Sequence, residues 1–186
     1  MTEDSKALFL LDSCILINFM ASDMLNEIVM NSGLKFAIAS FVIEKEAHYF
    51  LREANNVIEK VKIDISHLIK SASIAILHIE DHEAQMVIDL SADVDDGEAY
   101  TIALAVSRKL NMASDDKKAT YFFKNLCQDG IILSTEALLN KWANKNNIDS
   151  VILKSIIVKI EKCAKYSPPK DSEYFSWWKN IRESFP

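Results

Sequence analysis

Short apolar runs of strand length alternate along this chain with longer stretches of helical periodicity, and this alternation restricts the fold more than any other feature. The runs are Ala7–Leu11, Leu34–Ala39, Ser73–Ile79, Leu110–Ala113 and Ile131–Leu133. Each is free of proline and predominantly apolar, as strands covered by helices on both sides must be. Between them the spacing predicts helices over Ser13–Met20, Met24–Met30, Phe41–Val61, His82–Leu90, Gly97–Lys109 and Asp116–Cys127. After the fifth run the alternation stops. Glu136–Asn144 and Ser150–Lys165 read as helices, then Ser167-Pro168-Pro169 breaks the chain before a tail with Tyr174, Phe175, Trp177, Trp178 and Phe185. The expectation is an α/β domain with a parallel sheet, followed by a helical extension.

Glycine narrows the chemistry. The chain has 3 glycines in 186 residues, where average usage near 7% would give roughly a dozen. No GxGxxG or GxxxxGK[ST] loop exists, so backbone cradles for dinucleotides or nucleoside triphosphates are excluded. Gly33, Gly97 and Gly130 each stand just before a predicted strand or helix, where a sharp turn is needed. The net charge of −6, from 21 Lys+Arg and 27 Asp+Glu, excludes nucleic-acid binding driven by bulk charge. Cys14, Cys127 and Cys163 are widely spaced, form no CxxC pair and read as reduced thiols. Met1–Lys6 is polar, Ala7–Leu11 is too short for a secretion signal, and no uncharged run reaches membrane-spanning length. These features predict a cytoplasmic protein with no membrane partner.

The acids at element junctions carry the functional signal. Asp12 ends the first strand, Asp115 and Asp116 follow the fourth, Glu98 opens a helix, and Glu44 and Glu46 follow the second strand. In a parallel sheet these junctions share one edge, where ligands bind near the switch in strand order. One such acid is explained by helix capping. A convergence from four junctions would be self-repelling unless a cation compensates. Oxygen-only ligation suits Mg²⁺ or Mn²⁺.

These residues resemble the motifs of PIN-domain (PilT N-terminal) nucleases. Leu10-Leu11-Asp12-Ser13-Cys14-Ile15-Leu16-Ile17 is similar to the opening motif, and Ser40-Phe41-Val42-Ile43-Glu44-Lys45-Glu46 to the second, in which a helix brings in a glutamate. Gly97-Glu98-Ala99-Tyr100-Thr101-Ile102-Ala103-Leu104-Ala105 resembles the third, and Met112-Ala113-Ser114-Asp115-Asp116 the fourth. Cys14 stands where many relatives carry a polar residue, and the chain is longer than a minimal PIN domain.

The resemblance implies a PIN-like three-layer α/β sandwich with a central parallel five-stranded sheet over residues 1–135 and a C-terminal helical extension, 136–186, packed on it. It also implies a Mg²⁺- or Mn²⁺-dependent endoribonuclease that leaves a 5′-phosphate and a 3′-hydroxyl. Many small bacterial members are VapC-type toxins held by an antitoxin protein. Asp12, Glu46, Glu98 and Asp116 would be the catalytic, metal-binding acids. Asp115 would ligate a second metal or cap the following helix. Glu46 is preferred to Glu44 because, on a helix, it shares a face with Ile43, Ala47 and Phe50. Ser13 and Ser114 would orient the acids, and Lys117 and Lys118 would hold flanking phosphates or simply face solvent.

Other features carry less. His82-Glu83-Ala84-Gln85-Met86 fails HExxH, the acids Asp93–Asp96 are out of register for a calcium loop, and His48 and His67 read as surface residues of helices. Trp177 and Trp178 either pack back on the domain or form a patch for a partner chain or a homodimer. Two other classes compete. One is an acidic-pocket phosphatase, for which Asp12-Ser13-Cys14 lacks the second acid of Asp-x-Asp; the other is a degenerate scaffold that binds without catalysis.

Overall fold

The computed structural model describes residues 7–184. Five strands, β1 (Leu8–Leu11), β2 (Lys35–Ala39), β5 (Ile74–Leu77), β6 (Asn111–Ala113) and β7 (Ile132–Leu133), form one parallel sheet in the order β5-β2-β1-β6-β7. Helices flank this sheet, an α/β arrangement compatible with a three-layer sandwich. Helix α5 (Asp96–Ser107) packs against β1, β2 and β6, with α4 (Asp81–Leu90) and α6 (Lys117–Leu126) beside it. Helix α1 (Ser13–Ala21) packs against α2 (Leu25–Asn31) and α7 (Thr135–Asn146). The core is continuous from Phe9, Leu10 and Leu11 of β1 through Phe19, Ile102, Leu104 and Met112 to Leu138. No single helix among the described residues is long and apolar enough to cross a membrane.

The predicted strands all form, several with trimmed ends. The helix expected over Phe41–Val61 does not form. A short π-helical turn, Val42–Glu46, ends at Ala47. The chain then makes an antiparallel hairpin of β3 (Tyr49–Ala54) and β4 (Val57–Lys62). Asn55 and Asn56 both adopt left-handed φ values, 51° and 65°, the requirement of a two-residue hairpin turn that asparagine meets well. Only the root of this ribbon meets the core, where Phe50 is buried and its partner Val61 half-buried, while Tyr49 on the other face and Val57 and Ile58 near the tip are exposed. His48 therefore sits in the link before β3, not in a helix.

Helix α3 (Ser66–Lys70) follows the hairpin and carries His67, exposed and bonded to Asn26. At the C-terminal end, α8 (Ser150–Lys159) runs into a π-helical turn, Ile160–Ala164, and the chain closes with α9 (Phe175–Glu183). Leu153, Ile156, Ile157, Ile160, Cys163 and Trp178 join the main core. Trp178 packs back on the chain, edge-on to Tyr166, and its indole N–H donates to Glu161 at 3.0 Å. Met1–Lys6 and Phe185 lie outside the described residues.

Candidate metal centre

The chain runs from β1 outward through β2 to β5, then returns to the other side of β1 for β6 and β7. Strand order therefore reverses between β1 and β6, and the crevice beyond their carboxyl ends is where such sheets bind ligands. Asp12 and the Ser114–Asp116 segment stand there. The β1–β6 ladder extends to Asp12, whose N–H donates to the Ala113 carbonyl at 2.9 Å.

Asp12 is buried and is the N-cap of α1. One carboxylate oxygen accepts from the Ser13 N–H at 2.7 Å, the other from the Ser114 hydroxyl at 2.6 Å and the Cys14 thiol at 3.2 Å. Of the two serines, Ser114 acts on the acid through its side chain, whereas Ser13 acts through its backbone. Ser114 also accepts from the Asp116 N–H at 3.1 Å, so one hydroxyl links two of the acids. Burial, then the nearby charges of Asp12 and Asp115, push the Cys14 thiol up, so Cys14 is a neutral donor to Asp12.

Glu46 ends the π-helical turn and Gly97 opens α5, and the two fit together. The Gly97 N–H donates to Glu46 Oε1 at 2.8 Å, and a Cβ on residue 97 would overlap the Glu46 carboxylate. Glycine allows this close approach, and no special φ is involved. The ring of Phe41 stacks on Tyr100 with centroids 4.2 Å apart, which holds the turn against α5. Glu44 is exposed. The preference for Glu46 over Glu44 thus rests on this seat and not on a shared helical face with Phe50, which belongs to β3.

The acids interact through their charges. Burial raises Glu98, and Asp116 and Asp12 add to the shift, bringing it to about 7. Glu46 is also raised, by burial first and against the Gly97 hydrogen bond, with Asp12, Asp95 and Asp96 contributing. The ion pairs seen among the described residues all lie elsewhere, so none supplies a cation to Asp12, Glu46, Glu98 or Asp116.

Asp115 and Asp116, adjacent in sequence, have different surroundings. Asp116 caps α6, one oxygen accepting from the N–H groups of Lys118 at 2.7 Å and Ala119 at 2.8 Å. Asp115 turns inward. It accepts from the Thr135 N–H at 2.7 Å, the Thr135 hydroxyl at 2.6 Å and the Asn18 amide at 2.8 Å. Burial pushes it up to about 6, against those hydrogen bonds. Its oxygens are committed to tying β6, α1 and α7 together, which suits a clamp better than a ligand. Lys117 and Lys118 are exposed, and Lys117 lies 3.7 Å from Asp171.

Sequence reasoning missed Asn18, Thr135, Glu136 and Tyr166. Asn18 was legible as the one polar side chain between Ile15-Leu16-Ile17 and Phe19-Met20. Glu136 is buried and accepts from Ser172 at 2.7 Å and from the Tyr166 hydroxyl. Glu136, Tyr166 and Ser172 line a cavity of about 360 Å³ beside Ser114 and Asp115, with Pro169 and Tyr174 also in its wall.

An all-carboxylate set without an internal cation matches a hard divalent ion in donor chemistry. Among the described residues, however, no three His, Cys, Asp or Glu side chains stand close enough together to grip an ion as they are placed. Comparison of the chain with protein-family models, curated proteins and solved structures gives no match.

Proposed function

We propose that the chain is a PIN-like, metal-dependent phosphodiesterase that hydrolyses RNA. The observation that carries this reading is the electrostatic state of the sheet's carboxyl edge. Asp12 is buried there, and Glu98 is raised to about 7 by burial with Asp116 and Asp12 as neighbours. Folding that leaves acids mutually repelling, when lysines are plentiful, is an expense accepted at functional sites. The ordered resemblance of the segments around Asp12, Glu46, Glu98 and Asp116 to PIN motifs supports the same reading.

Asp12, Glu46, Glu98 and Asp116 would hold Mg²⁺ or Mn²⁺. When bound, such an ion acidifies a coordinated water and neutralises charge on a phosphate. The chain's own residues prepare the site. Ser114 fixes Asp12 and the backbone of Asp116, Gly97 fixes Glu46, and Asp115 fixes the loop between β6 and α6.

The test is cleavage of single-stranded RNA with Mn²⁺ or Mg²⁺, with and without chelator, for wild type, Asp12→Asn and Asp116→Asn. Metal-dependent cleavage lost in both variants is expected. Activity that ignores chelator, or survives in both variants, would sink the metal site. The open spacing of the acids favours one second reading, a scaffold that binds without hydrolysis; no cleavage of any RNA under these conditions would select it. The role of toxin checked by an antitoxin belongs to the same proposal, and is tested by growth arrest on induced expression, relieved by co-expression of a small neighbouring gene.

A further inference from the structure

The β3–β4 hairpin springs directly from the metal centre. Glu46 sits on Gly97, the His48 N–H donates to the Glu46 carbonyl at 2.8 Å, and β3 begins at the next residue, Tyr49. The Ile63 N–H returns to the His48 carbonyl at 2.9 Å and closes the hairpin's root. Consecutive Cα atoms are about 3.8 Å apart, so Tyr49 stands within roughly 11 Å of Glu46 along the chain.

This root presents an aromatic ring among cations. Tyr49 is 50% exposed, whereas the ring of its neighbour Phe50 is buried. Lys62 is its cross-strand partner, and Lys60, on the diagonal, places its ammonium 4.4 Å from the ring centroid. His48 meets the same ring edge-on, with centroids 6.5 Å apart. The chain is acidic, and many of its cations are paired: Arg108 with Glu83, Lys159 with Asp23, Lys162 with Glu53, Arg182 with Glu161. Lys45, Lys60 and Lys62 form no ion pair among the described residues.

We infer that the root of this hairpin is the platform on which a single-stranded RNA substrate docks, with Tyr49 stacking on an unpaired base and Lys60 and Lys62 taking the adjacent phosphates. Proteins that hold single strands combine these two elements, an aromatic face for bases and a cationic track for the backbone. The placement also answers the objection raised by the net charge. A phosphate over the carboxylates is repelled until metal is present, so affinity must come from flanking phosphates held to either side. Strand order sets those sides: the hairpin follows β2, and Lys118 follows β6, with Asp12 at the end of β1 between them. The inference deepens the proposed ribonuclease reading by naming how that site holds its substrate.

The experiment separates the two. Fluorescence anisotropy of a labelled single-stranded RNA of about a dozen nucleotides is measured in EDTA, where no metal-dependent cleavage occurs. The proteins are wild type, Tyr49→Ala, Tyr49→Phe, the double variant Lys60→Ala/Lys62→Ala, and Lys35→Ala on the opposite sheet edge. Circular dichroism confirms the fold of each. Tyr49→Ala is expected to weaken binding about ten- to hundredfold, and Tyr49→Phe to retain it, since stacking needs the ring and not the hydroxyl. The lysine double variant should flatten the log–log salt dependence by about 1.4, from two phosphate contacts at about 0.7 each. Lys35→Ala should bind as wild type does.

Three results would overturn the inference: no binding of single-stranded RNA by the wild type, hairpin variants that bind like Lys35→Ala, or duplex RNA bound as tightly as single strands. Binding lost in Tyr49→Ala supports it even if no RNA is cleaved with metal added, in which case the hydrolytic proposal alone fails. Cleavage that persists with unchanged KM in all hairpin variants overturns the platform and leaves the hydrolytic proposal intact.

Discussion

Two groups of acids in this chain meet burial in opposite ways. Glu83 on α4 is fully buried, and the chain supplies its counter-charge. The Arg108 guanidinium donates to both carboxylate oxygens at 2.7 Å and to the His78 carbonyl at 2.7 Å. That fork holds Glu83 below the usual carboxylate range, against the effect of burial. At the carboxyl edge of the sheet, Asp12 is just as buried, yet its partners are a backbone N–H, a hydroxyl and a thiol. There Glu98 and Glu46 are pushed up, by burial first. Glu83 shows what an acid looks like when its task is to hold the fold. Among the described residues, the edge acids have no such counter-charge beside them.

The contrast is broken most severely by removing a site acid. Asp12→Asn is expected to lower metal-dependent RNA cleavage by about a thousandfold, the scale on which an enzyme loses a group stabilising developing charge. Glu98→Gln should do the same to activity while moving stability the other way. The folded pKa of Glu98, about 7, lies above the ordinary 4.5, so the stability from its bound proton is full below about 4.5 and is lost as pH rises through about 7. The amide introduced by Glu98→Gln stays neutral at every pH. Chemical denaturation without metal should therefore find the variant more stable than wild type at pH 8, with the gain gone near pH 4.5. A loss of stability at pH 8 would break the comparison.

Glu83→Gln is the opposite case and the next in size. It leaves Arg108 in a neutral fork and should destabilise the protein by about 2–3 kcal/mol, with site chemistry unaffected in the folded fraction. The sign with pH is also reversed. The Glu83 pKa is depressed, so its contribution is present above pH 4.5 and disappears as pH falls through the folded value. Denaturation midpoints of wild type and variant should therefore converge under acid.

A smaller effect comes from crowding one seat. Gly97→Ala puts a methyl where the Glu46 carboxylate rests. The carboxylate is the free end of a flexible side chain, so it moves and the helix stays. Residue 97 lies in the first turn of α5, where alanine is the better helix former by up to about 1 kcal/mol. The melting temperature should hold or rise slightly, while cleavage falls about ten- to hundredfold and the metal concentration for half-activity increases. A variant with unchanged metal dependence would remove Glu46 from the site.

The sheet and most of its helices were legible because their signal is local: apolar runs such as Leu8–Leu11 and Lys35–Ala39, and an acid or serine at a helix start, need only the neighbouring residues to be read. The positions of Asp12, Glu98 and Asp116 at helix starts were legible for the same reason. Residues 41–61 misled because Glu, Lys and Ala favour helices, while the deciding facts were tertiary. Phe50 and Val61 bury one ribbon face against the core, and Asn55-Asn56 turns the chain. The role of Asp115 was out of reach, since its partners Asn18 and Thr135 lie 97 and 20 residues away.

The finest discrimination between the two regions concerns Ser114. If an external cation neutralises the edge acids, the chain's own hydrogen bonds there orient them without compensating charge, and their loss should show in metal affinity, which loss of the fork at Glu83 should leave alone. Ser114→Ala removes the 2.6 Å bond to Asp12 and the 3.1 Å bond from the Asp116 N–H together. Because two acids lose their common reference, metal affinity should fall about tenfold, the low end for an outer partner of a metal ligand. Stability should fall by about 1.5–3 kcal/mol, the worth of a hydrogen bond to a charged group. Ser114→Thr keeps the hydroxyl and should restore the metal dependence, although its added methyl must fit a buried position. Rescue of metal affinity by threonine, without a matching change in melting temperature, would separate orientation from packing. A Ser114→Ala variant that loses stability while its metal affinity is unchanged would show that the edge acids are held by the fold for its own sake, and the distinction between the two regions would collapse.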